Sequence, residues 1–280
     1  MIDASLLIRL LLAFAVGSLW VTAITIFADR KGSVFGGILG GIPSTAAFSF
    51  FFIGINQSPA AAVHATAVFP LAFAVTSAYL FFYAFFTQKG FIRGISISLL
   101  IWFTISGLIV ISGFNDFAVS LDGGVVISFL TYFGFAKRLK LENFKPEKKL
   151  YTIQGIALRG IGAGSLVALS VLLSQVGGSV LGGIAAAFPA VFTSTLIILN
   201  RTKGLEFSRS ITKPFVFSSI LTVIPYCVAV RYFYPTLGVW VGTLVSYILV
   251  VPLAILSYYA AKPEKDSKNS NVQKWQPIST

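Results

Sequence analysis

The sequence predicts an all-α polytopic membrane protein with about nine transmembrane helices, built as two inverted four-helix repeats joined by an adaptor helix. Three observations predict this fold class: an apolar composition, a duplicated Gly/Pro motif and the placement of the positive charges. Of the 280 residues, 56% are hydrophobic and only 11% are charged, and the mean hydropathy is +0.87. Soluble domains carry roughly 25% charged residues. The apolar runs are continuous rather than alternating, which favours helices over a β-barrel.

Each apolar run is long enough to cross a bilayer, which takes about 20 helical residues. The first run follows Arg9 and is too long for the apolar region of a signal peptide, so we interpret it as a membrane helix. The final stretch, 263–280, is polar and carries lysines, which predicts a disordered tail. The predicted helices span 5–27, 34–54, 59–86, 93–112, 117–136, 151–175, 178–199, 209–232 and 235–260.

The basic residues test this count, because Lys and Arg accumulate in cytoplasmic loops. All but three of the 21 basic residues fall on one side if the N-terminus lies outside and the helices alternate. The exceptions are Arg9, Arg159 and Arg231. The pattern therefore predicts nine spans in the cell membrane, with a cytoplasmic C-terminus. The net charge of +12 is then explained by orientation and by anionic lipid headgroups, not by a nucleic-acid partner.

A short motif occurs twice in the chain. Residues 33–38 (SVFGGI) return as 179–184 (SVLGGI), 146 positions later, and a proline follows each copy at the same interval, as Pro43 and Pro189. Because the copies lie in the second and the seventh span, an odd number of spans apart, the second copy is inverted in the membrane, and the fifth helix is the adaptor. The alternative is that apolar sequence of low complexity only looks repetitive. The predicted divisions are 1–112, 113–150, 151–262 and 263–280, and further identities at the same offset are Thr66/Thr212, Phe69/Phe215 and Thr76/Thr222.

The second copy resembles a known family. Residues 182–189 (GGIAAAFP), 204–206 (GLE) with Arg209, and 224–226 (IPY) are similar to the GlpM family of small four-helix inner-membrane proteins. The resemblance covers about 178–250 and is weaker in the first copy. It implies a four-helix unit that is here duplicated and fused, and it implies no particular activity.

The two proline segments are the first candidates for a binding site. Glycines allow close approach of backbones, and a proline inside a helix leaves a carbonyl without its donor. If the two helices cross near the middle of the bilayer, carbonyls and hydroxyls meet on a pseudo-two-fold axis and can bind a small solute or a dehydrated ion. Tight helix packing is the alternative explanation. The substrate-binding candidates are Gly37, Gly40, Pro43, Ser44, Thr45, Gly183, Pro189, Thr193, Ser194 and Arg159.

Charged and titratable groups near the spans form a second set of candidates. Arg159 lies about two turns inside its helix, and an intramembrane arginine calls for an anionic ligand or a carboxylate partner. Asp122 is the proposed protein partner, in a structural ion pair. His64 is a candidate for proton coupling, although a lone histidine more often only donates a hydrogen bond to a neighbour. Arg209 either guards an inner entrance for anions or serves as an orientation signal.

The remaining residue types exclude several classes of function. With one cysteine, Cys227, and one histidine, neither an intramolecular disulfide nor a metal centre rich in His and Cys is possible. No nucleophile–base arrangement is recognisable, so we predict no enzyme, no cofactor and no metal. The prediction is a transporter or channel, with the bilayer and a small solute or ion as partners and a homo-oligomer possible. The basic groups of Arg159 and Arg209 favour an anionic or neutral polar substrate over a cation. The alternative is a non-transporting membrane scaffold or subunit of a membrane complex.

Overall fold

A computed structural model describes residues 4–31, 43–139, 141 and 152–261. Within these ranges the chain is helical throughout and contains no strand. A short 3-10 helix, Thr87–Lys89, follows the fourth α-helix. The α-helices are α1 (Ala4–Lys31), α2 (Ser44–Asn56), α3 (Pro59–Ala65), α4 (Phe69–Phe86), α5 (Phe91–Ile111), α6 (Phe117–Arg138), α7 (Ile153–Gly177), α8 (Ser179–Ala186), α9 (Ala190–Lys203), α10 (Leu205–Ser210) and α11 (Thr212–Ala261).

Seven helical stretches of the described chain are long and apolar enough to cross a membrane. The last of them, Leu205–Ser257, has 53 residues, which is more than twice the length that one span requires. Large apolar side chains such as Ile92, Ile111 and Trp240 are exposed on the outer helices. Because no aqueous surface tolerates so many exposed apolar groups, these faces contact lipid. The protein is an all-α, multi-pass membrane protein.

The core is built around α4, of which two thirds is buried. On this helix, α5 and α6 pack from one side, and α8 and α11 also contact it. The closest pairing elsewhere is that of α1 with α7, where Gly17 of α1 faces Gly164 of α7. Small residues at such a crossing let two backbones approach closely, which is how helices associate in lipid.

The segment 59–86 is not one helix as the sequence predicts. It divides into α3, which ends at Ala65, and α4, which begins at Phe69. Pro70 has no N–H to donate to the carbonyl of Thr66, so the helical ladder stops there. That carbonyl instead accepts a hydrogen bond from the N–H of Phe69, at 3.3 Å. The two pieces are therefore joined by a tight turn inside the protein.

The segment 178–199 is also divided, which corrects the expectation of a helix kinked in its middle. Helix α8 ends at Ala186, and α9 begins at Ala190, directly after Pro189. Because Pro189 cannot donate to the carbonyl of Ala185, that carbonyl accepts from the N–H of Phe188 at 3.1 Å. Pro189 thus starts a helix rather than bending one.

The predicted helices 209–232 and 235–260 are joined end to end in α11. The interruption lies at Gly238, with φ 74° and ψ 174°, rather than at 232–235 as expected. A φ of this sign is the reason for glycine at this position, since other residues rarely adopt it. The predicted spans 5–27, 93–112, 117–136 and 151–175 correspond to α1, α5, α6 and α7. The predicted span 34–54 is described only from Pro43 onward, and the predicted tail 263–280 lies outside the described residues.

Candidate functional site

The two prolines of the duplicated motif lie at the same cleft. Pro43 immediately precedes α2, and Pro189 immediately precedes α9. Between these helix starts is a cleft with an empty volume of about 530 Å³, including its open side. Both predicted repeats contribute to it, and none of the described lining residues is charged. They are Pro43, Ser44, Thr45, Ala46, Phe73, Ala186, Ala187, Phe188, Val191, Phe192, Ser219 and Val223.

Both helices point their N-terminal ends at this cleft. Proline has no polar side chain, so neither Pro43 nor Pro189 caps the helix that follows it. The first turn of any helix leaves backbone N–H groups without acceptors in that helix, and the aligned peptide dipoles make this end partially positive. Thr45 and Val191 belong to these first turns and line the cleft. The cleft therefore receives two sets of donors.

The carbonyl groups at the helix breaks are already occupied, contrary to the expectation that they would be free to bind an ion. The hydroxyl of Thr76 donates to the carbonyl of Ala187 at 2.6 Å. The hydroxyl of Thr193 donates to the carbonyl of Pro189 at 2.7 Å, and that of Tyr247 donates to the carbonyl of Pro43 at 3.4 Å. The protein itself therefore satisfies these three carbonyls beside the prolines.

Three hydroxyl groups of the lining are left for a ligand. Ser44 and Thr45 are half-buried at the start of α2. Ser219, on α11, is only 6% exposed. None of the three hydroxyls has a hydrogen-bond partner among the described residues, although buried hydroxyls usually have one. Ser44 and Thr45 were predicted, whereas Ser219 was not, because a serine in an apolar helix carries no distinguishing pattern.

Thr193 and Ser194 were also predicted to bind substrate, but their hydroxyls are used within the protein. Thr193 is hydrogen-bonded to the hydroxyl of Tyr79 at 2.8 Å, in addition to its bond to Pro189. Ser194 donates to the carbonyl of Val191, one turn earlier in α9, at 3.0 Å. Both residues lie outside the described lining. Their role is to tie α9 to itself and to α4.

A buried hydrogen-bond chain connects the cleft to α5. The indole N–H of Trp102 donates to the hydroxyl of Thr76 at 2.9 Å, and Thr76 in turn donates to Ala187. The ring of Trp102 also contacts that of Phe188, with centroids 5.0 Å apart. Trp102 was not predicted to take part in the site. The sequence signal that could have indicated Thr76 is its identity with Thr222 at the repeat offset.

The predicted glycines have a packing role where the structure describes them. A Cβ at Gly183 would collide with the backbone carbonyl of Ala65, so glycine lets α8 lie directly against the end of α3. Gly183 is not part of the cleft lining. Gly37 and Gly40 lie outside the described residues.

Arg159 does not pair with Asp122 in the structure. Its guanidinium donates to the hydroxyl of Thr195 on α9, so Arg159 joins α7 to α9. Asp122 is exposed on α6, a helix that packs against α4 and α11. The sequence could not separate the two outcomes, because the proposed pair depended on α6 lying beside α7.

His64, the predicted proton-coupling residue, is exposed on α3. The neighbouring turn is contacted instead by Arg231 of α11. The Arg231 guanidinium donates to the carbonyl of Val63 at 3.2 Å and to the hydroxyl of Thr66 at 3.3 Å. It also lies over the ring of Phe117, 4.2 Å from the centroid. Arg231 therefore ties the break between α3 and α4 to α11.

Arg209 is buried, with 8% of its surface exposed. Its Nε donates to the carbonyl of Ala84 on α4 at 3.0 Å, and its Nη1 contacts both carboxylate oxygens of Glu206 at 2.7 Å. Beside it, the hydroxyls of Tyr83 and Ser208 are hydrogen-bonded at 2.7 Å. This cluster fastens the short helix α10 to the end of α4.

The fold and the cleft define the class of this protein as a helical, multi-pass membrane protein with interrupted helices at a common polar cleft. Residues 156–262 match a family model described as a protein of unknown function, DUF3147. No curated protein and no solved structure shows significant similarity to the chain. Within the described residues, no three His, Cys, Asp or Glu side chains come together as a metal site would require.

Proposed function

We propose that this protein is a transporter or channel that passes a small solute or ion through the cleft between Pro43 and Pro189. The observation that carries this proposal is the meeting of two helix N-termini, one from each half of the chain, at one cleft that has hydroxyl groups but no charged side chain among its described lining residues. In transport proteins, interrupted helices of this kind supply the polar groups that replace water around a solute near the bilayer midplane. The proposal includes nine spans as two inverted four-helix repeats in the cell membrane.

Matching hydrogen bonds support the repeat. The hydroxyl of Thr66 donates to the carbonyl of Val63 at 2.6 Å. At the same offset of 146 residues, the hydroxyl of Thr212 donates to the carbonyl of Arg209 at 2.6 Å. Helix starts correspond as well, since α2 and α9 follow their prolines, and α3 and α10 come next in each half. Random apolar sequence would not reproduce both the helix breaks and the bonds.

The contacts of the buried Arg209 and the half-buried Arg231 support an exchange of partners between the repeats. Arg209 of the second half contacts Ala84 of the first half. At the repeat offset of 146 residues, Arg209 corresponds to Val63 and Ala84 corresponds to Val230. Val63 is indeed contacted by Arg231, the residue next to Val230. In each half a short helix is thus tied through an arginine to a long helix of the other half, although the arginine lies on the short helix α10 in one case and on the long helix α11 in the other. This crossing of contacts supports a pseudo-two-fold relation.

The family match supports the division of the chain. It covers 156–262, and the predicted second four-helix repeat covers 151–262. A family model that ends where the predicted repeat ends is consistent with a four-helix unit that exists as a sequence module. The similarity to the GlpM family remains a proposal of the same kind, based on the motifs of the second half.

The proposal is tested by flux from proteoliposomes that contain the purified protein, against inorganic ions, organic anions and neutral polyols. Pro189→Ala should reduce flux at least about tenfold, because alanine lets α8 continue through the break into α9, and we expect a similar loss for Pro43→Ala, which changes the matching proline of the motif. Pro252→Ala is the matched control, since Pro252 is an exposed proline inside α11. It should leave flux within about twofold of the unchanged protein.

The contrary result is equally informative. If folded protein passes none of the solutes, transport is wrong, and the scaffold or subunit function becomes the better proposal. A partner should then be sought by crosslinking in the native membrane. Folding is checked in every case by gel filtration and circular dichroism of the same preparations.

A further inference from the structure

We infer that the cleft binds a small, weakly hydrated monovalent anion, of the class of bromide, nitrate or thiocyanate. This inference rests on the proposed function and names the substrate class of the same cleft. It depends on three observations: the balance of donors and acceptors, an unpartnered buried hydroxyl, and the absence of charged side chains from the described lining.

The balance of hydrogen-bonding groups favours an anion over a cation. A cation needs carbonyl oxygens or carboxylates as ligands. The carbonyls of Pro43, Ala187 and Pro189 already accept hydrogen bonds from Tyr247, Thr76 and Thr193. What the cleft still offers is donors: apart from the N–H of Ala190, which donates to the carbonyl of Phe188, these are the first-turn N–H groups at the positive ends of α2 and α9.

Ser219 indicates that a ligand completes this site. Ser219 as a residue is only 6% exposed and lines the cleft, and its hydroxyl has no partner among the described residues. A mostly buried serine whose hydroxyl lacks a partner carries a free-energy cost. Ser44 and Thr45 present further hydroxyls from the start of α2. A bound anion would accept from these hydroxyls, whereas the helix ends alone would leave the cost at Ser219 unexplained.

The lining selects the type of anion. Phe73, Phe188, Phe192 and Val223 make most of the wall apolar, so an anion must lose most of its water on entry. No described lining residue supplies a full positive charge to offset that loss. The cost rises steeply with charge and with strength of hydration. Sulfate and phosphate should therefore be rejected, while weakly hydrated monovalent anions should enter.

The test uses the full chain in vesicles loaded with potassium bromide, potassium thiocyanate or potassium sulfate. Anion efflux is followed with selective electrodes while valinomycin carries the balancing potassium. Potassium efflux with a protonophore and glycerol-driven swelling are measured on the same vesicles. Bromide and thiocyanate should leave at least about tenfold faster than from empty vesicles, and sulfate and potassium should not.

Two pairs of variants locate the anion at this cleft. Ser219→Ala should slow bromide efflux about tenfold, because a hydrogen bond to a charged ligand is lost. Ser246→Ala is its control: Ser246 is also buried on α11, but it donates to the carbonyl of Gly242.

Ser44→Asp places a tethered carboxylate at the start of α2, where a negative charge stabilises a helix N-terminus, and it should abolish anion efflux. Ser44→Asn should retain most of it.

The outcomes separate this inference from the proposed function. Movement of potassium or glycerol without movement of bromide would overturn the anion and leave transport standing. Equal effects of Ser219→Ala and Ser246→Ala would overturn the site. If no probe moves, equilibrium dialysis of radiolabelled bromide against the detergent-solubilised protein decides. Binding that Ser44→Asp removes would uphold the anion site without transport, and absence of binding would overturn the anion site as well.

Discussion

Individual polar residues in this protein work in pairs that join distant parts of the chain. Thr76 and Tyr247 donate to the carbonyls of Ala187 and Pro43, which lie beside the two helix starts and more than 100 residues away along the chain. Arg159 bonds Thr195, and Arg209 bonds Ala84, in both cases across helices. In lipid, no water is present to form a hydrogen bond with a buried polar group. Each of these pairs therefore determines which helices can lie next to each other.

At the residue scale, the buried Thr76 offers the clearest test, since its hydroxyl accepts a hydrogen bond from Trp102 and donates one to the carbonyl of Ala187. Thr76→Val keeps the shape and leaves both partners unsatisfied, which should cost about 2 kcal/mol of unfolding free energy. Thr131→Val is the control, because Thr131 donates to the carbonyl of Ile127 inside its own helix. It should cost less than about 0.5 kcal/mol. Thermal unfolding in detergent measures both, and equal losses would contradict the role given to Thr76.

At the scale of helices, interruption and close approach occur together. Helices α8 and α9 are divided at Pro189, and α3 and α4 are divided before Pro70. Helix α8 lies against the end of α3 at Gly183. The interrupted segments thus contact each other in the middle of the bundle. A continuous helix at either place would leave no cleft.

Gly183 tests this packing. Gly183→Ala would drive a methyl group into the backbone carbonyl of Ala65, which backbone atoms cannot avoid by rotation. We expect loss of most of the folded protein, or a fall in unfolding free energy of about 3 kcal/mol. Gly107→Ala is the matched control within α5, because a Cβ there meets nothing within 4 Å. Gel filtration and thermal unfolding compare the two, and a stable Gly183→Ala variant would show that α8 and α3 are not packed as described.

At the scale of the whole molecule, the fold is a bundle in which α4 lies inside and α1, α5, α6 and the last part of α11 face lipid. The two halves of the chain share the central cleft. Their exchange of arginine contacts makes each half dependent on the other. We expect the loops that carry the positive charges to lie on the cytoplasmic side, because cytoplasmic loops retain Lys and Arg.

The orientation is tested with single cysteines at the two ends of α5. Asn115→Cys follows this helix and should react with a membrane-impermeant maleimide in intact cells. Lys89→Cys precedes it and should react only after permeabilisation. Both positions are exposed, and the native Cys227 is buried, so the unchanged protein is the control for background. The reverse pattern would invert the topology, and labelling from one side at both positions would contradict α5 as a span.

Much of the fold could be predicted because hydropathy is a local property. The runs that became α1, α5, α6 and α7 were correct within a few residues. The breaks at 66–68 and 187–189 were missed, although Pro70 and Pro189 were visible. Whether a membrane helix bends or stops at a proline depends on partners that satisfy the released groups. For the carbonyl of Ala187, at the break before Pro189, that partner is the hydroxyl of Thr76, more than 100 residues away.

Of the candidate site, Pro43, Ser44 and Thr45 lie in one lining, while Pro189 precedes α9 just outside it; that these residues bind a substrate stays a prediction. Ser219 was overlooked, and Thr193, Ser194 and Gly183 proved to serve packing. The Gly, Pro, Ser and Thr residues of a duplicated motif indicate which segments of the chain can form a binding site. Which hydroxyls remain free there depends on which of them find carbonyls, and that follows only from the packing.

The sequence by itself determined that this chain is a helical membrane protein, where most of its helices run, and which two prolines mark its centre. These properties follow from the free-energy cost of transferring peptide groups and charged side chains from water into lipid. Each residue contributes to that cost through its own type, so the sequence is sufficient to predict them. The tertiary structure alone decided that the carbonyls at the breaks are occupied, that Arg159 bonds Thr195 rather than Asp122, and that donors remain at the cleft. Hydrogen-bond partners are chosen among groups that the fold brings together, and no local pattern specifies that choice.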